Sequence, residues 1–193
     1  MNKKIVIGIA VALIILVIVG IVYAISKVGN KPDETLGNNE EGVENISNLD
    51  EFYSLSLTKD KDIRNLPEGY TSFDAQKDNC FVVGAMVHND NLYTEFMNDY
   101  KNKKMAFIRV AQNTIEGDLV LYDILYYNKT DKLYLVHDST RDEYTSEPII
   151  YLEEYKNTST YEANNHLYWV LYNEPITGEN FSTDNVFVIT TIN

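Results

Sequence analysis

The stretch Asp118-Leu119-Val120-Leu121-Tyr122-Asp123-Ile124-Leu125-Tyr126-Tyr127 decides how the chain folds. Side chains of a strand alternate between its two faces. Here Val120, Tyr122, Ile124 and Tyr126 take one face, while Leu119, Leu121, Asp123 and Leu125 take the other. Both faces are largely apolar, so the strand is expected at the centre of a sheet that is covered on both sides.

Working outward, Met105–Gln112, Lys132–Asp138, Pro148–Lys156, His166–Asn173 and Val186–Ile192 are further runs rich in Tyr, Ile, Val and Leu. Each is bounded by Gly, Asn, Asp or Thr clusters and reads as a strand. The short gaps Asn113–Gly117 and Asn128–Asp131 make the neighbouring strands antiparallel. Upstream, Asn79–Val87 is a β-branched and aromatic run, again a strand. Asn89 stands where a helix cap belongs, with Asp90 in the first turn. Leu92, Tyr93, Phe96, Met97 and Tyr100 recur at helical spacing and form one core-facing stripe, so a helix is predicted from Asp90 to Asn102. Residues 49–193 are accordingly expected to form an α+β domain: a mainly antiparallel sheet, a meander, covered on one face by a single helix.

In front of it lies Ile5–Ile25, twenty-one uncharged residues of which fifteen are Ile, Leu or Val. As a helix it would rise about 32 Å, the thickness of a bilayer core. It is read as an N-terminal transmembrane helix acting as a signal-anchor, with residues 1–4 as a cytoplasmic tail and the domain outside. Lys3 and Lys4 on one flank nearly balance Lys27 and Lys31 on the other. Secretion after a cut following Ala24 is the alternative. Residues 26–48 are rich in Gly, Asn and Glu and read as a flexible linker.

Sixteen Lys and Arg stand against twenty-nine Asp and Glu, a formal net charge of −13. Nucleic acid is excluded as a partner, because repulsion opposes every phosphate contact. The single cysteine, Cys80, rules out an internal disulfide and reads as an inert buried thiol. His88, His137 and His166 show no metal-ligand spacing, and no nucleophile elbow or phosphate-binding glycine loop occurs. Asp60 and Asp62 begin a calcium-loop pattern that Arg64 and a missing glycine break.

The candidate binding residues are Glu116 and Asp118 in the first hairpin turn, with Asp138, Arg141 and Asp142 in the loop after Lys132–Asp138. If those loops met, their carboxylates would suit a weak calcium site, or an acid–base pair acting on cell-wall glycan. The plainer reading is turn chemistry, with Gly117 at positive φ and Arg141 paired locally. Calcium is the one cofactor the sequence raises. Tyrosines on the strands would serve peptide or glycan stacking as well as packing.

Four strings carry a family resemblance: Ala75-Gln76-Lys77-Asp78-Asn79-Cys80-Phe81-Val82-Val83, Lys101-Asn102-Lys103-Lys104, Thr114-Ile115-Glu116-Gly117-Asp118 and Asp138-Ser139-Thr140-Arg141-Asp142-Glu143-Tyr144. Over about Tyr70 to Lys156 the chain resembles an uncharacterised family of small secreted proteins and lipoproteins from Gram-positive bacteria, a domain of unknown function. The resemblance implies an extracytoplasmic bacterial domain and supplies no chemistry. The expected function is a membrane-anchored binding module for a protein or cell-wall partner. A carboxylate-based cell-wall hydrolase and a calcium-responsive domain are the alternatives.

Overall fold

A computed structural model describes residues 45–84, 87–163, 166–175 and 186–192, all within one compact unit, Gly42–Asn193. The tail 1–4, the run Ile5–Ile25 and all but the end of the linker lie outside the described residues.

The elements in chain order are α1 (Leu49–Phe52), a 3-10 turn (Ile63–Asn65), α2 (Ser72–Lys77), β1 (Phe81–Val83), α3 (Asp90–Lys101), β2 (Ala106–Asn113), β3 (Leu119–Tyr127), β4 (Lys132–Asp138), β5 (Ile150–Tyr155), β6 (Asn157–Ala163), β7 (His166–Tyr172) and β8 (Val186–Ile192). Strands β1 to β5 form one sheet in sequence order, and β6 to β8 form a second. β1 runs parallel to β2 because α3 carries the chain back between them; the other pairings are antiparallel.

This corrects the expected fold class. The domain is mainly β, in two sheets with few helices, and not a single meander under one helix. The expected transmembrane helix, Ile5–Ile25, lies outside the described residues, and among those no helix is long and apolar enough to cross a membrane. The meander breaks at Lys156, where the chain leaves β5 and enters β6, whose partner is β7. The sequence Asn157-Thr158-Ser159-Thr160-Tyr161-Glu162 lacks an apolar alternation, so the strand that opens the second sheet escapes a hydrophobicity reading.

β3 is central, as its two apolar faces predict, and all nine of its residues are buried. Val120, Tyr122, Ile124 and Tyr126 meet Phe96 and Met97 of α3 together with Trp169, Leu171 and Ile189 of the second sheet. Leu121, Leu125 and Tyr127 meet Phe52, Tyr53, Leu55, Ile63, Tyr70 and Ala75. The first sheet is thus a middle layer, covered on one side by a helix and a sheet and on the other by the irregular segment 45–80. Each fully buried large side chain contributes roughly 1.5–3 kcal/mol.

Local chemistry sets the cover segment. The Asn48 side chain accepts from the Glu51 N–H to start α1, and Thr71 with Asp74 closes a capping box on α2. Asn89 takes the position expected of it but another task. It sits at φ 59° and its Nδ2 donates to the Cys80 carbonyl at 2.9 Å and the Gln76 carbonyl at 3.3 Å. The start of α3 is thereby tied to the turn between α2 and β1.

A row of rings crosses the first sheet where the second covers it. Tyr122 faces His137, His137 faces Tyr151, and Phe187 of β8 lies against both Tyr122 and His137. His137 Nδ1 is 2.6 Å from the Tyr151 hydroxyl. Burial holds the imidazole below the ordinary histidine range, against the opposing pull of Asp138 and Glu153. A histidine with a depressed folded pKa binds fewer protons when folded than when unfolded. Its contribution is therefore present in full above about pH 6.5 and is lost as pH falls below that value. The melting temperature is expected to drop between about pH 8 and about pH 5, and to drop less in His137→Phe. Equal drops in both proteins would remove His137 as the cause.

Candidate functional site

The residues singled out in the sequence lie at one end of the first sheet. Gly117 turns the β2–β3 hairpin at φ 101°, and the Thr114 N–H donates to the Asp118 carbonyl at 2.8 Å. Asp118 Oδ2 accepts from the Glu143 N–H at 2.9 Å, so the two acidic loops do meet. Asp138 is buried. Its Oδ1 accepts from the Thr140 N–H at 2.9 Å and hydroxyl at 2.5 Å, and its Oδ2 from Arg141 Nη1. Arg141 also reaches the Leu66 carbonyl, pinning the cover segment to this loop. Asp142 Oδ1 accepts from the Tyr144 N–H at 3.0 Å, while Glu116 stays exposed at the turn. Asp138 and Asp142 hold their own loop together, and Asp118 ties the hairpin turn to it. Among the described residues, no group of three or more His, Cys, Asp and Glu is placed to hold a metal ion.

A larger feature lies elsewhere. A cavity of about 680 Å³ opens between α3 and residues 57–66, with β2 along its floor. α3 supplies Leu92, Glu95, Phe96 and Asp99, the facing wall supplies Leu57, Asp60, Lys61, Asp62, Asn65 and Leu66, and β2 supplies Ala106–Arg109. Ala106 and Ile108 point into the core on the α3 side, whereas Phe107 packs against the core on the other side. Consecutive strand residues can line one cavity only if it runs along the strand's edge.

That edge is free because β1 is short. β1 pairs with Val110, Ala111 and Gln112 and goes no further, so among the described residues nothing pairs with Ala106–Arg109 on that side. The ladder fixes which groups are left. Thr114 bonds to Asp118, so the even-numbered residues of β2 turn their N–H and C=O toward β3 and the odd-numbered ones turn away. The β1 side agrees: Val82 spends both backbone groups on His88, leaving Phe81 and Val83 to face β2. The Phe107 N–H and C=O and the Arg109 N–H therefore point into the cavity.

The lining carries five acids, Asp60, Asp62, Asp78, Glu95 and Asp99, against Lys61 and Arg109. Arg109 is neutralised: Nε and Nη2 lie 2.6 Å from the two oxygens of fully buried Asp123, and the Tyr53 hydroxyl donates to the same carboxylate at 2.8 Å. Burial pushes the Asp123 carboxyl up, and the Arg109 fork opposes it. Hydrogen bonds from Arg64 hold Asp62 below the usual carboxylate range. Burial raises the Cys80 thiol, which also lines the groove and is thereby held toward its neutral form. The result is an acidic groove with an apolar base and three unpaired backbone groups. It suits binding.

Sequence reading passed over Phe107, Arg109, Glu95 and Asp99, and met Asp60 and Asp62 only as a failed calcium loop. A groove made by one strand ending early carries no local motif. No curated protein matches the chain, and no solved structure matches it. Residues 77–168, from the end of α2 into β7, match the family model of DUF4362, a domain of unknown function.

Proposed function

We propose that the domain is a binding module whose ligand enters the groove between α3 and residues 57–66. The observation that carries this reading is the run Ala106–Arg109, which lines a cavity of about 680 Å³ from the side of a free strand edge. That volume lies in the range of ligand sites, and the mixture of apolar base and polar rim is usual for them. The accompanying localisation is outside the membrane of a Gram-positive bacterium, as for a secreted protein or lipoprotein. The domain would be held there by the apolar run Ile5–Ile25 or released by a cut after Ala24. The hydrolase and calcium readings rest on Glu116, exposed at its turn, and on Asp118, Asp138 and Asp142, already engaged in hydrogen bonds, so neither gains support over the groove.

A fragment library screened by methyl NMR tests the proposal. Hits are expected to shift the Leu57, Leu66, Leu92 and Ile108 methyls. Asn65→Trp, which fills the groove mouth from an exposed position, is expected to weaken them by about tenfold or more. Hits that instead gather on the exposed side chains of Ile115 and Ile149 would move the site to the loop end and defeat the groove.

A further inference from the structure

We infer that the occupant of the groove is an extended, lysine- or arginine-bearing peptide segment that adds to the first sheet as a strand beside β2; this rests on the groove being the binding site. Three observations converge on it. The first is the hydrogen-bond pattern. Phe107 offers an N–H and a C=O, and Arg109 a further N–H, in the spacing one antiparallel or parallel neighbour satisfies. A pocket for a compact molecule has no need of such a row. A strand end does, because a free edge is a template for another chain.

The second is size. Ala106–Arg109 extends over about 13 Å at roughly 3.3 Å per residue, room for about four residues of an added strand. β1 lies directly beyond, so the added segment would prolong the line of an existing strand rather than start a new one. The two walls then receive alternate side chains. On one side stand Leu92, Phe96, Glu95 and Asp99; on the other stand Leu57, Leu66, Asp60 and Asp62.

The third is charge. The α3 wall is apolar at buried Phe96 and acidic at exposed Glu95, and the facing wall sets Leu57 and Leu66 beside exposed Asp60, matching a side chain with an alkyl stem and a cationic head. Arg109 is spent on Asp123 and Asp62 on Arg64, which leaves Asp60, Glu95 and Asp99, the last 3.9 Å from Lys104, to set the sign of the rim. Lys61, on the facing wall, lies with its ammonium 5.2 Å from the centre of the Phe107 ring. The chain's own residues 26–44 carry five acids, Asp33, Glu34, Glu40, Glu41 and Glu44, against Lys27 and Lys31, and an acidic rim repels that net negative charge. A basic segment of another protein is the complementary partner.

Amide hydrogen exchange on the full chain, with and without a capped peptide of about seven alternating lysine and valine residues, tests the inference. The peptide is expected to slow exchange at Phe107 and Arg109 by about tenfold or more and to leave Ile108, already bonded to β3, unchanged. A glutamate-for-lysine peptide is expected to do nothing. Glu95→Lys, at an exposed helix position, is expected to weaken the effect by about tenfold. Shifts of the Leu92 and Ile108 methyls without protection of Phe107 and Arg109 would overturn strand addition and leave the groove standing as a site. A peptide that moves neither amides nor methyls also overturns it, and the groove itself falls only if fragments fail there too. Protection that grows with protein concentration in the absence of peptide would assign the edge to a second copy and overturn the inference.

Discussion

Asp123→Ala is expected to destabilise the domain by about 3–5 kcal/mol, because it strands a cation inside the protein. The Arg109 side chain is about 10% exposed and its fork lies on both Asp123 oxygens. Without the carboxylate, the guanidinium keeps only the Lys61 carbonyl and the Tyr53 hydroxyl loses its acceptor. Removing one partner of such a pair costs much more than the pair contributes, since the remaining charge stays desolvated. The combination Asp123→Leu with Arg109→Met and Tyr53→Phe is therefore expected to recover most of the loss. Urea unfolding followed by circular dichroism measures both. A single Asp123→Ala protein within about 1 kcal/mol of the parent would place the pair among ion pairs of no consequence. What the pair supplies is position: Tyr53 belongs to the cover segment, and its bond to Asp123 registers that irregular chain on the sheet.

Trp169→Ala is expected to cost a similar amount, about 3–5 kcal/mol, with a different distribution. Trp169 is fully buried and touches three rings, with Tyr93 edge-on at 4.9 Å, Phe96 at 5.6 Å and Phe81 at 6.4 Å. Its Nε1–H donates to Thr158 Oγ1 at 2.7 Å, and that hydroxyl donates to the Val170 carbonyl at 3.0 Å. One side chain thus joins the second sheet to α3 and β1 and also braces β6 on β7. Its loss removes the ring contacts that hold β7 to α3 and β1, whereas β3 keeps two covered faces. Hydrogen exchange is expected to quicken first in β6 to β8, with β3 amides following only the global unfolding. Equal acceleration in both sheets would contradict this. Trp169→Phe keeps ring packing and loses the bond to Thr158, at about 1–3 kcal/mol. Because Trp169 is the chain's one tryptophan, its fluorescence in the parent reports on the second sheet.

Much of the first sheet was legible. β3 announced its central place through two apolar faces, and β4 and β8 begin and end where alternation begins and ends. More could have been extracted. A hairpin closed between Thr114 and Asp118 sets Arg109 opposite Asp123, so the buried pair follows from counting back along both strands. Two hairpins in succession return the chain to the same end of the sheet, which already brings the Asp118 turn beside the loop after Asp138. Other parts had no signal. Phe52, Tyr53, Leu55, Ile63 and Tyr70 cover a face from irregular chain, where no period exists to detect. β6 is polar by composition, and its strand state comes from pairing with β7. The groove depends on β1 stopping after three residues, a property of neighbours and not of any residue that lines it.

The boundaries of the matched segment cut through the groove. Residues 77–168 contain β2, its free edge and the α3 wall, while the wall from residues 57–66 comes from chain that precedes the match. The match thus covers the free edge and one wall and leaves the other wall outside it. If the groove binds as proposed, exchanging residues 57–66 alone would change what it selects while β2 beneath keeps its pairing with β3.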